Sequence, residues 1–110
     1  MTNQPSIAEL NDAFRKDPAM NKGQLFVTQG VQAGGHDFVT RALRSVAEFD
    51  NFTEDNDPYG QHDFGSVEVG KEKLFFKFDY YDNALKWGSP DPADPSVTTR
   101  VLTVMLAMEY

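Results

Sequence analysis

Residues 52–65, FTEDNDPYGQHDFG, bring together Glu54, Asp55, Asp57, His62 and Asp63 without a Lys or Arg among them. Three kinds of chemistry use such a set. Calcium takes closely spaced oxygens, and Asp55, Asp57 and Gly60 match the first, third and sixth positions of an EF-hand loop. The fifth position is Tyr59, and the twelfth is Ser66 where a bidentate Glu belongs, so that match stops short. A magnesium or transition-metal site could draw on His62, Asp55, Asp57 and Asp63, although one imidazole is a thin basis for it. General acid–base chemistry is the second use, with His62 as base beside Asp63 and Asp79 in a metal-dependent hydrolase or nucleotide-handling enzyme. Adjacent His62 and Asp63 would point to opposite faces of a strand, and the chain has neither a G-x-S-x-G elbow nor a phosphate-binding glycine loop. Third, the carboxylates can be offered to a basic partner. Ordinary turn chemistry competes with all three: Asp57 starts a turn, Pro58 presets its backbone and Gly60 finishes it. No catalytic residue, metal ligand or cofactor is assigned on this basis.

Charge sharpens the third reading. Between Arg44 and Lys71 there is no Lys or Arg, while Glu48, Asp50, Glu54, Asp55, Asp57, Asp63 and Glu68 all fall there. The stretch FDYYD (78–82) adds Asp79 and Asp82, and GSPDPADP (88–95) adds Asp91 and Asp94. Folded together, these segments would make one negative surface able to steer a basic partner. The candidate contact set is Glu54, Asp55, Asp57, Tyr59, Asp63, Asp79, Asp82, Asp91 and Asp94. Trp87 is either an interface anchor or a cap on the core, and His36 reads as a polar residue at a helix start.

The elements that must position these groups fit one domain spanning 1–110, with residues 1–5 flexible. The net charge of −7 argues against direct nucleic-acid or membrane-surface binding. Nine Phe and a 40% apolar content supply a core. Without cysteine there is no disulfide scaffold. The first residues lack a basic and then apolar leader, and no run reaches the roughly 20 apolar residues of a membrane span, so a soluble cytoplasmic protein is expected.

Ser6 and Glu9 spell a capping box for a helix with Ile7, Leu10 and Phe14 on its apolar side, ended by Pro18. QLFVTQGV (24–31) reads as a strand. Phe38, Ala42, Leu43, Val46 and Phe49 share one face of a helix over 37–49. GSVEV and KLFFKFDYYD form a hairpin around Gly70, with Leu74, Phe76, Phe78 and Tyr80 facing the core. Residues 96–109, opened by Asp94 or Ser96, carry apolar stripes on two sides; their Val and Thr also allow a strand, but the length and the Asp-Pro-Ser start favour a last helix, either central or a homodimer contact. The expected fold is α+β, a small antiparallel sheet packed with helices in the order α-β-α-β-β-α.

NDPYGQHDFG, FDYYD and TTRVLTVMLAMEY, with LND-FR and VTQGV before them, resemble a family of small bacterial proteins described only as a domain of unknown function and often carried on plasmids, phages and other mobile elements. Its members typically read N-D-P-H-G-E-H-D-F-G, so Tyr59 and Gln61 here replace a His and a Glu, which weakens a metal or catalytic role for the motif. They often show a Trp-Lys pair before Asp-Tyr-Tyr-Asp, where Phe76-Lys77 stands here. The resemblance brings no activity. Its setting, joined to the charge, implies an anti-CRISPR or antirestriction type of protein whose partner is a basic defence-complex subunit.

Overall fold

A computed structural model describes residues 4–110. Helix α1 (Ile7–Lys16) starts as its sequence dictates: the Ser6 side chain accepts from the Glu9 amide and the Glu9 carboxylate accepts from the Ser6 amide. Strand β1 (Gln24–Val27) is shorter than its β-rich sequence suggests, because Thr28 turns the chain into the single-turn helix α2 (Gln29–Gln32). Helix α3 (His36–Glu48) follows, with Ala42 and Val46 fully inside and Phe38, Leu43 and Phe49 against the core. Strands β2 (Phe64–Val69) and β3 (Glu72–Tyr81) form the expected antiparallel hairpin, turning at Gly70 with a φ of +61° that glycine adopts freely. Of the expected flexible stretch, residues 1–3 lie outside the described residues.

Two expectations are corrected. Residues 96–109 are not a helix: Asp94 caps only a 3₁₀ turn (Pro95–Val97), and strand β4 (Thr99–Leu106) follows, ending in a second 3₁₀ turn (Ala107–Glu109). The sheet is mixed rather than antiparallel. Its order is β1-β4-β3-β2, with β4 inserted between β3, to which it is antiparallel, and β1, to which it is parallel. The physical reason is common to both. A central strand buries both faces and so reads as a continuous apolar run, which hides the period-two signal. Leu102 and Val104 enter the core while Val101 and Met105 are buried on the opposite face. The two apolar stripes assigned to a helix are the two faces of this strand. The α+β class stands.

One sheet face carries the core: Leu74, Phe76 and Phe78 of β3, Val67 and Val69 of β2, and Leu102 and Val104 of β4, closed over by Phe14, Val31, Ala42 and Val46. Gly65 sits directly against the Phe76 ring and leaves no room for a Cβ, so a larger residue would displace that ring. Among the described residues no helix is long and apolar enough to cross a membrane.

Candidate functional site

The helical stripe of α1 contains a surprise. Between Ile7 and Phe14 it places Asn11, which is completely buried. A buried amide is tolerated only when its polar atoms are satisfied, and those of Asn11 are. Its Nδ2 donates to the Gln61 carbonyl at 2.9 Å and to the Tyr80 hydroxyl at 2.8 Å, and its Oδ1 accepts from Arg100 Nε at 2.6 Å. Arg100 donates onward to the Pro92 carbonyl and lies over the Tyr80 ring. Burial pushes the Tyr80 hydroxyl up to about 12 and draws the Arg100 guanidinium below its usual range.

One turn further on, Arg15 is also buried. It donates to the carbonyls of Val46 and Phe49 at the C-terminal end of α3, where a positive charge complements the helix dipole. Its other amino group meets Asp12 at 2.7 Å. Asp12 in turn holds His62 through Nδ1 at 2.9 Å. The imidazole stacks on Phe52, 3.9 Å between centroids and 3° from parallel. Its Nε2 lies 3.8 Å from Asp57. The His62 backbone is left-handed at a φ of +55°, a conformation uncommon for a residue with a Cβ. Asp57 holds that turn, its carboxylate accepting from the amides of Gln61 and His62. Asn56 and Thr53 close the preceding turn in the same local way. A cleft of about 510 Å³ opens beside this assembly, lined by Asp12, Arg15, Phe49, Phe52 and His62 together with Lys16, Glu48 and Asp50.

The predicted contact residues therefore separate. Glu54, Asp55 and Tyr59 are exposed, Tyr59 by 86%. Asp57, expected on the outer surface, is only 8% exposed and turned inward; Pro58 and Gly60 bend the chain so that its carboxylate reaches the following amides rather than solvent. Asp63 is half-buried, and desolvation raises its carboxyl above the usual range, aided by the nearby Asp57 and Asp79 charges. Asp79 lies on the opposite face of the sheet, paired with Lys77 at 3.1 Å. Asp82, Asp91 and Asp94 each cap a backbone amide of their own loop, at Lys86, Ala93 and Ser96. A single acidic surface uniting all nine residues is thus not what the fold builds. Trp87 is 75% exposed, which excludes the core-capping alternative, and His36 is an exposed residue at the start of α3.

The carboxylate that orients His62 is Asp12, from α1, rather than Asp63 or Asp79. Among the described residues no group of three or more His, Asp or Glu side chains is gathered closely enough to hold a metal ion. Sequence reasoning missed Asn11, Asp12, Arg15 and Arg100. The available signal was Asn11 at an inward position of an apolar stripe, which announces a polar group needing partners from elsewhere.

Residues 27–109 match the family model described as "Protein of unknown function (DUF3768)". No curated protein and no solved structure matches.

Proposed function

The chain belongs to the DUF3768 family, and we propose that it is a non-enzymatic binding protein whose exposed acids occupy a basic, nucleic-acid-binding surface on a partner, in the manner of an inhibitor of a bacterial restriction or CRISPR complex. One observation carries this reading. Glu48, Asp50, Glu54 and Asp55 are exposed, lie within eight consecutive residues and, among the described residues, take no part in an ion pair. The loop that carries Asp50, Glu54 and Asp55 is stitched from within by Asp57 and Asn56 and anchored from α1 by Asn11. A preorganised loop loses little entropy on binding, and unpaired carboxylates have no internal cation to give up. The nature of the partner rests on the charge, −7 overall, and on the mobile-element resemblance.

The test is phage plating on bacteria that carry a restriction or CRISPR system, with and without the chain expressed. Plating should rise with the native chain and return to the defended level with Glu54→Lys/Asp55→Lys. Defence that proceeds unchanged in the presence of the native chain counts against the reading, as does full inhibition by the doubly reversed variant.

A second reading has one observation in its favour: Asp12 orients His62 at the edge of the cleft, which is how a general base is held. Its weakness is that, among the described residues, no Ser, Thr or Tyr hydroxyl lines that cleft. Calorimetric titration with Mg²⁺, Mn²⁺ and Zn²⁺, joined to assays of nucleotide and phosphodiester hydrolysis, would select it only if turnover appears and His62→Ala abolishes it.

A further inference from the structure

Among the described residues the three α-helices all pack on the core face of the sheet. The other face is built from Phe26 of β1, Val101 and Met105 of β4, Phe75 and Tyr81 of β3, and Phe64 of β2. Tyr110 packs against Phe64 and Phe75, and Leu85 borders a groove of about 480 Å³ beside Phe26 and Tyr81. Phe26 is 53% exposed, Leu85 48% and Tyr110 74%. Val101 and Met105 are themselves buried, so the apolar surface this face offers is that of Phe26, Tyr81, Leu85 and Tyr110, and exposed apolar side chains gathered in this way mark an interaction site. The charges on this face are Glu68, Lys73, Lys77 and Asp79, which sum to zero in a chain of net charge −7.

We propose that this face is where a second copy of the chain binds, forming a two-fold symmetric dimer. Electrostatics selects the occupant. Two copies of a strongly acidic protein repel each other over most of their surfaces, and the neutral, apolar face is where they approach without that penalty. Its pattern is also self-complementary, as a two-fold interface requires. Along β3 the outward residues run Phe75, Lys77, Asp79, Tyr81. A two-fold axis lying between the two faces and crossing β3 between Lys77 and Asp79 sets Lys77 against Asp79 of the second copy, and Phe75 against its Tyr81. Strands spaced about 4.8 Å apart and rising about 3.3 Å per residue give this face roughly 500 Å² in projection. The dimer then buries about 1,000 Å² in total, at the lower limit of specific association, so it forms reversibly and at high concentration.

The full chain is to be measured by sedimentation equilibrium from about 1 μM to about 1 mM, a range spanning weak association. The expected result is a mass that rises from monomer to dimer. Lys77→Asp and Asp79→Lys should each weaken the dimer about tenfold or more, by opposing like charges. The double variant Lys77→Asp/Asp79→Lys restores the opposite pairing and should recover it. Circular dichroism confirms that each variant is folded, and Phe26→Gln, away from the ion pair, serves as a further disrupting variant. A chain that stays monomeric throughout assigns the face to a different partner and overturns the proposal. So does a dimer indifferent to both single reversals, which would place the contact elsewhere.

Discussion

The loop joining α3 to β2 and the Pro-rich loop joining β3 to β4 look alike in sequence: both are acidic, irregular and rich in turn residues. Their carboxylates do different work. In the first, Asp57 turns inward and fixes a left-handed His62, which Asp12 of a distant helix then grips. In the second, Asp82, Asp91 and Asp94 serve only groups two to four residues away: the amides of Lys86, Ala93 and Ser96 and the Ser96 hydroxyl. The first loop is tied to the body of the molecule by Asn11 and Asp12 of α1, the second by Lys22, which donates to the Pro95 carbonyl, and by Arg100 of β4. They nevertheless share one attachment. Asn11 holds the Gln61 carbonyl of one loop directly, and through Arg100 it holds the Pro92 carbonyl of the other. Like charge in sequence therefore says little about where a carboxylate ends; that depends on which amides the local backbone leaves unsatisfied.

The sharpest way to break this comparison is to remove the shared attachment. Asn11→Ala strips the buried Arg100 of a partner and leaves the Tyr80 hydroxyl and the Gln61 carbonyl unserved. Each buried group left without its hydrogen-bond partner typically costs about 1–3 kcal/mol, more for a charged one, and three lose a partner here. Urea denaturation should show a loss of that order, and amide exchange should accelerate in both loops. Acceleration confined to one of them would mean that Asn11 is not their common anchor.

A smaller effect should separate the two loops. Asp57→Ala leaves two amides without their acceptor, at a cost of about 1–3 kcal/mol. Asp91→Ala removes a single exposed cap and should stay within about 1 kcal/mol of the native chain. Exchange protection should fall around Gln61 and His62 in the first variant and hold there in the second. Equal losses from both substitutions would erase the distinction between an inward carboxylate and a local cap.

How much of this was legible beforehand follows the range of the interactions. The capping box of α1, the turn from Asp57 to Gly60, the amphipathic stripe of α3 and the β2–β3 hairpin depend on neighbours within a few residues, and the sequence announces each. Strand β4 was misread because its surroundings are set by β1 and β3, which are far away in the chain and bury both of its faces. The polar assembly was missed for a similar reason. Asp12, Arg15 and Arg100 carry no local signature, and their roles appear only when α1 is laid against the end of α3 and the last strand. Of the candidate contact set, Glu54, Asp55 and Tyr59 are exposed as expected, since nothing nearby can satisfy or cover them.

The finest test of the comparison is the sign of its response to pH. Asp63, at the end of the first loop, has its carboxyl raised by burial; Asp94, in the second, has its carboxyl lowered by hydrogen bonds from the Ser96 hydroxyl and amide. An acid that binds its proton more tightly when folded stabilises the fold below its unfolded value of about 3.9, and that contribution is lost as pH rises through the raised folded value. At neutral pH the Asp63 carboxylate is therefore a burden, and Asp63→Asn should raise the urea midpoint at pH 7 while changing little in strong acid. Asp94 has the opposite sign. Its contribution is present above the unfolded value and disappears as pH falls through the depressed one, so Asp94→Asn should lower the midpoint at pH 7 and converge with the native chain in acid. The Asp94 effect is the weaker, because that side chain sits in solvent and water screens its bonds. Midpoints measured for both variants from about pH 2 to pH 7 should thus shift in opposite directions at the neutral end. Shifts of the same sign would show that the two loops hold their acids in the same way, and the contrast drawn from their geometry would fail.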